Sequence, residues 1–226
     1  MQHHSENRKA VEALLGALRQ SGVEMRDDAA ERLSRLAELI LEWNKAMNLI
    51  SRRDVGRLVT YHFCDSASVL PIIRPQDDLE VVDIGGSNGL PGLVLACICA
   101  RIKVTVCDSK LKREGFLKAA SSLVGDNVTY TIDRADGSEF QQANRERFDL
   151  VVARAVTRLR HLLKWALPLV RPGGVIVAYK GSRVLEEIKP AEKHLLKAGR
   201  ALIAMASPWA GWCNPLRNFV VVQKAC

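Results

Sequence analysis

An α/β fold, with a mostly parallel sheet and a helical N-terminal extension, is predicted by three features of the sequence. From residue 79 onward, short β-branched runs alternate with helical stretches. Those runs are continuously apolar, as strands covered on both faces must be. Residues 1–70, by contrast, show helical periodicity and little strand character. A chain of 226 residues has room for one large domain with an appendage. Pro71 and Pro75 punctuate the transition, so the extension is placed at 1–75 and the main domain at 76–226.

Each element follows from local pattern. A first helix is predicted from 7 to 20, ending near Gly22. In the second, Leu33, Leu36, Ile40, Trp43 and Met47 step by 3 and 4, which makes one apolar helical face. Trp43 and Met47 on that stripe read as core. Asp54 is expected to N-cap a further helix running toward Leu70. Strands are predicted at 80–84, 103–107, 127–132, 148–152 and 175–179. Helices lie between them at 90–100, 110–123 and 158–170. Residues 200–206 and 218–223 read as a closing antiparallel pair around a turn-rich stretch at 207–215.

Composition removes several classes. The hydrophobic fraction of 48% and charged fraction of 26% are those of a globular chain rather than a disordered one. The longest apolar run, at 93–100, is far shorter than the roughly 18 residues a membrane span requires. The first residues carry no apolar stretch of a secretory signal, so a cytoplasmic location is expected. Cys64, Cys97, Cys99, Cys107, Cys213 and Cys226 form no Cys-x-x-Cys pair, so they read as reduced thiols and no metal site is expected.

Charge is distributed unevenly. Residues 154–226 hold 13 Lys/Arg against 3 Asp/Glu, whereas residues 76–153 hold 9 against 12. The net charge of +8 therefore belongs to the last third, which suits a polyanion such as RNA as well as a solvated basic face.

The sharpest local signal is Val81-Val82-Asp83-Ile84-Gly85-Gly86-Ser87-Asn88-Gly89-Leu90-Pro91-Gly92. A strand ends in a carboxylate, a glycine-rich loop follows and a helix opens. Glycines there let backbone N–H groups approach a ligand. Asp108 ends the next strand, where a carboxylate can hold the two hydroxyls of a ribose. The glycines do not fall in the GxGxxG register of a dinucleotide site, and Asp83 would repel a pyrophosphate. A carboxylate before the loop can instead pair with the amino group of a methionine moiety. S-adenosylmethionine is thus favoured over NAD.

Other strand ends add residues to the same edge. Arg154 and Lys180 follow two strands and are the candidate catalytic residues, placed to contact substrate; Arg134 follows a third, with Ala135 and Asp136 placed to frame an adenine. His62 is a candidate substrate contact, or a structural histidine paired with Asp65. Asn44 and Asn48 share a helix face and are expected to satisfy backbone groups. Trp209 and Trp212 are candidates for stacking on bases or for loop packing.

These residues, with Trp43-Asn44-Lys45-Ala46-Met47-Asn48-Leu49-Ile50-Ser51, His62-Phe63-Cys64-Asp65-Ser66, Gly89-Leu90-Pro91-Gly92, Asp108-Ser109, Lys112-Arg113, Phe116-Leu117, Arg154-Ala155, Lys180-Gly181 and Arg217, resemble the bacterial glucose-inhibited division protein B family over about residues 33–224. Members methylate a guanine at N7 in 16S ribosomal RNA. The resemblance implies a Rossmann-like class I methyltransferase sheet of seven, mostly parallel strands, and residues 76–226 as its S-adenosylmethionine-dependent domain. It implies Gly85, Gly89 and Leu90 at the cofactor, Ala135 and Asp136 beside the adenine, and Arg154 where cofactor and substrate meet. Arg134, Lys180, Arg217 and His62 would face RNA. The partner implied is 16S ribosomal RNA or the small-subunit particle, bound by a monomer. Ser87 stands where the family usually has glycine, and Asp136 where it usually has glutamate. A small-molecule methyltransferase of this fold and a non-catalytic RNA-binding module are the competing readings.

Overall fold

The computed structural model describes residues 2–73, 77–206 and 217–226. Five strands pair in parallel: β1 (Leu79–Ile84), β2 (Ile102–Asp108), β3 (Val128–Ile132), β4 (Phe148–Arg154) and β5 (Val170–Lys180). Between β5 and β6 (Gly199–Ala206) lies β7 (Arg217–Lys224), antiparallel to both. The sheet order is β3-β2-β1-β4-β5-β7-β6, so six strands share one direction and β7 opposes them. Chain order reverses between β1 and β4. In open α/β sheets, ligands bind at the carboxyl ends of the strands beside such a reversal.

Period two along the strands makes two cores. Val81, Val104, Val106, Leu150, Val152 and Val177 face one cluster. The helices α1 (Gln2–Gln20), α2 (Ala29–Met47), α5 (Gly92–Ile98) and α6 (Glu114–Val124) fill it, with α3 (Cys64–Ala67) and α4 (Leu70–Ile73) at its margin. Val82, Ile84, Val151, Ala153, Ile176 and Ala178 face the other cluster, under α7 (Ser138–Ala143), α8 (Leu159–Ala166) and α9 (Val184–Ala198). The predicted stripe on α2 is real: Leu33, Leu36 and Ile40 are fully buried, and the Trp43 ring meets Phe116 of α6 edge-on at 6.1 Å. At about 1.5–3 kcal/mol for each fully buried aliphatic side chain, that stripe is enough to fix α2 against α5 and α6. Asn48, in the left-handed region at φ 48°, closes α2, and Asn44 Oδ1 accepts the Ile50 N–H at 2.9 Å.

The fold corrects some expected elements. Asp54 caps no helix. It lies inside a 3-10 segment, Arg52–Arg57, followed by a π-helical turn, Leu58–Phe63, and then α3. The helix expected at 158–170 stops at Ala166, because Pro168 has no N–H to continue the ladder and Val170 already starts β5. Helices α7 and α9 were not expected. The final antiparallel pair forms as predicted, while Trp209, Trp212 and the rest of 207–216 lie outside the described residues.

Candidate active site

The carboxyl end of β1 carries the expected loop. Gly85 takes φ +73°, and its N–H donates to Cys107 O at 2.7 Å, which bends the chain over the end of β2. A Cβ at Gly85 would lie 2.6 Å from Val156 Cγ2, and one at Gly89 (φ +71°) would lie 2.0 Å from Leu93 Cδ1. Both positions therefore exclude a side chain through conformation and through space. Ser87, half-buried, donates its N–H to Gly85 O at 2.8 Å. Leu90 is buried behind the loop.

Asp83 sits at the root of this loop, fully buried. Its Oδ2 accepts the Gly92 N–H at 2.8 Å, while Oδ1 has no hydrogen-bond partner among the described residues. Burial pushes the carboxyl up to about 7. A buried acceptor left unsatisfied costs about 1–3 kcal/mol. The carboxylate thus suits a donor or cation brought by a ligand, which is what the ammonium end of S-adenosylmethionine offers.

Asp108 ends β2 buried, with Oδ1 held by the Lys110 N–H at 2.8 Å. The pairing of Asp108 with Ile132 brings the loop after β3 alongside. There Ala135 is buried, its carbonyl accepting Gln141 Nε2 at 3.0 Å, and Asp136 pairs with Arg134 at 2.9 Å. Asp83, Gly85, Gly89, Leu90, Asp108, Ala135 and Asp136 thus lie along one edge of the sheet. These residues fit the cofactor, with a carboxylate for its amine, another for its ribose, and a buried backbone wall for the adenine.

The basic residues sit differently from expectation. Arg154 does not face outward. Its side chain is 9% exposed; Nη1 lies 3.0 Å from Asp65 Oδ2 and 3.3 Å from the His62 carbonyl. Lys180 is 7% exposed and donates to Glu187 Oε2 at 2.7 Å and Thr157 O at 2.9 Å. Burial disfavours the Glu187 carboxylate, yet Lys180 and the Leu159 N–H (2.5 Å) hold its pKa below the ordinary value. His62 is not paired with Asp65 but lies 3.3 Å from Asp54. Burial, and then the Arg154 charge, lower its pKa. Arg134 is the exposed one, its side chain 71% accessible. Arg217 opens β7, and its side chain is outside the described residues.

One set of contacts and one set of residues escaped the sequence reading. Asp65 anchors Arg154 from 89 positions away, and Tyr179 donates its hydroxyl to Ser66 O at 2.7 Å. Together they strap the segment 52–67 to the ends of β4 and β5. The other set lines a cleft of about 390 Å³ where α8 and α9 begin, and it includes Arg158, Arg160 and Arg183. Their only signal in the sequence was their place just beyond two strands.

Cys97, Cys99 and Cys107 are buried, and burial pushes each thiol up to about 12. Among the described residues there is no group of three or more His, Cys, Asp or Glu that could hold a metal, and no helix long and apolar enough to cross a membrane.

The chain is similar to known proteins in sequence and in fold. The family model described as rRNA small subunit methyltransferase G matches residues 29–208. A ribosomal RNA small subunit methyltransferase G of Streptococcus sanguinis is 36% identical over 180 residues, covering 79% of this chain and 76% of its own. One from a Thermoanaerobacter species is 34% identical over 217 residues, covering 96% and 90%. Among solved structures, an O-methyltransferase from Bacillus cereus in complex with SAH superposes with a TM-score of 0.57 at 19% identity, covering 84% of this chain and 91% of that one. That likeness establishes the class I methyltransferase fold.

Proposed function

The chain belongs to the rRNA small subunit methyltransferase G family and is an S-adenosylmethionine-dependent rRNA methyltransferase, and we propose that its substrate atom is N7 of one guanine in 16S ribosomal RNA. The observation that carries this reading is the family match over residues 29–208, which includes the glycine loop, Asp83, Asp108, Arg154 and Lys180. The bound partner is taken to be 16S RNA or the small-subunit particle, met by a monomer in the cytoplasm. Residues 1–75 serve as an extension packed on the methyltransferase domain, 76–226.

When bound, S-adenosylmethionine supplies an electrophilic sulfonium methyl group. Guanine N7 has a free lone pair and no proton, so the chain need provide no general base. Its work is positioning, where well-oriented reactants gain about 7–11 kcal/mol. Asp83 receives the amine, Asp108 the ribose hydroxyls, and Ala135 and Asp136 the adenine, against a wall made by Gly85, Gly89 and Leu90. Arg154 holds the substrate side of the pocket in shape. A bare cation beneath the base would oppose the positive charge that N7 acquires, and pairing with Asp65 at 3.0 Å removes that opposition. Lys180 is balanced by Glu187 in the same way.

The test is transfer of labelled methyl from S-adenosylmethionine to 30S particles and to naked 16S RNA in parallel. The product is mapped by cleavage at N7-methylguanine. Label at a single guanine N7 is expected. Label at another atom, or none on either RNA with cofactor binding intact, overturns the proposal.

A further inference from the structure

The cleft at the start of α8 and α9 lies beside the cofactor edge. Val156, whose Cγ2 would lie 2.6 Å from a Cβ on Gly85, leads within two residues to Arg158, and Lys180 Nζ binds Thr157 O of the same loop. The cleft has a volume of about 390 Å³ and is lined by Arg158, Arg160 and Arg183 with Glu186, Glu187 and Pro190 among others. The three arginines are exposed. Among the described residues, Arg160 Nε reaches only its neighbour, His161 Nε2, at 3.1 Å. Glu187 is already engaged by Lys180 and by the Leu159 N–H. The cleft therefore offers guanidinium groups in excess of available carboxylate.

S-adenosylmethionine carries no phosphate, and its one carboxylate is too few to occupy three guanidinium groups. Arginine forks match phosphate oxygens in a bidentate way. Arg154 and Lys180, the two strand-end cations nearest the sheet, are held by Asp65 and Glu187. The outer arginines are left to face a ligand.

We propose that this cleft, through Arg158, Arg160 and Arg183, seats phosphodiester groups of the RNA strand next to the methylated base. This rests on the reading of the chain as an rRNA methyltransferase and names where the RNA backbone lies. The phosphates act as register marks. Gripping them beside the cofactor edge sets which base reaches the methyl group, without the cleft reading the sequence itself.

The experiment measures binding of fluorescently labelled, unmodified 16S RNA across a salt series. It compares the full chain, Arg158→Ala/Arg160→Ala/Arg183→Ala, and a charge-matched control, Arg101→Ala/Lys103→Ala/Lys118→Ala. All six positions are exposed, so folding should survive, and S-adenosylmethionine titration checks it. For three lost phosphate contacts, the slope of log affinity against log salt should fall by roughly 2–3 in the cleft variant only. Binding should weaken about tenfold or more while cofactor affinity stays unchanged. Equal slopes for the cleft variant and the wild type would overturn the proposal and leave the rRNA reading standing. An equal loss in the control would overturn it too, showing diffuse charge rather than a seat. Absence of salt-dependent RNA binding by the wild type would remove both.

Discussion

The carboxyl edge of the sheet has two halves of opposite sign. Over β1, β2 and β3 carboxylates predominate, Asp83, Asp108, Asp133 and Asp136, with Arg134 paired to Asp136; over β4 and β5 cations predominate, Arg154, Arg158, Arg160, Lys180 and Arg183, with Glu187 paired to Lys180 and Glu186 beside it. The halves also differ in how their innermost charges are satisfied. Asp83 is fully buried with one oxygen lacking a donor among the described residues, whereas Arg154 and Lys180 are buried with carboxylates in place. On the proposed reading, the acidic half receives the cationic end of the cofactor at its root, while the basic half holds its inner cations for architecture and presents its outer arginines to RNA. One sheet edge would then take a cationic cofactor and a polyanionic substrate side by side.

The largest effect expected from breaking this contrast is on stability. Arg154→Ala removes the cation 3.0 Å from the buried Asp65 carboxylate, and should cost up to about 3–5 kcal/mol in denaturant unfolding. Removing both charges, with Asp65→Asn and Arg154→Met, should recover much of it. A single variant within about 0.5 kcal/mol of wild type would mean that the pair does not carry the strap. Asp83→Ala should weaken S-adenosylmethionine binding by calorimetry at least tenfold, on the scale of about 1.5–3 kcal/mol for a charged hydrogen bond. RNA affinity should hold, and a parallel loss of both ligands would dissolve the division of labour.

A third change sharpens the acidic half alone. Since the folded carboxyl of Asp83 titrates near 7 against an ordinary 3.8, the folded state keeps a proton that the unfolded chain has lost. Stability without cofactor should therefore decline as pH rises from about 4 to 7. Asp83→Asn, which cannot ionise but can still accept the Gly92 N–H, should melt higher than wild type at pH 8, on the order of 2 kcal/mol more stable. The gap should close by pH 4; a constant gap would mean that ionisation is not the cause. Smallest of all, Ser87→Gly should change cofactor affinity by about threefold or less, under about 1 kcal/mol, because the Ser87 side chain is half-buried rather than wedged in the loop.

The strands were legible as short, continuously apolar β-branched runs, and α2 because its apolar residues recur in steps of 3 and 4. α9 was not. Pro190 interrupts its pattern, and Leu185 and Leu196 point outward at 72% and 77% exposure, which blurs the stripe. α7, at six residues, is too short to show a period. In the site, Asp83 and Asp108 could be read directly, since a carboxylate ending an apolar strand must lie at the sheet edge. The partners of Arg154 and His62 could not. Ordinary helical spacing suggests that His62 meets Asp65, three residues on. A π-helical turn at Leu58–Phe63 changes the face presented, so His62 looks back to Asp54 and Asp65 is released to Arg154. Long-range pairing of this kind leaves no local trace in a sequence.

The division of the sheet edge is tested most directly by measuring two affinities of one wild-type preparation, for S-adenosylmethionine and for unmodified 16S RNA, across the same salt series. A cofactor seated on a buried carboxylate should bind almost independently of salt. RNA held through phosphates should weaken steeply, its log affinity falling linearly with log salt. Two slopes that fall together, or an RNA affinity as flat as that of the cofactor, would contradict the account.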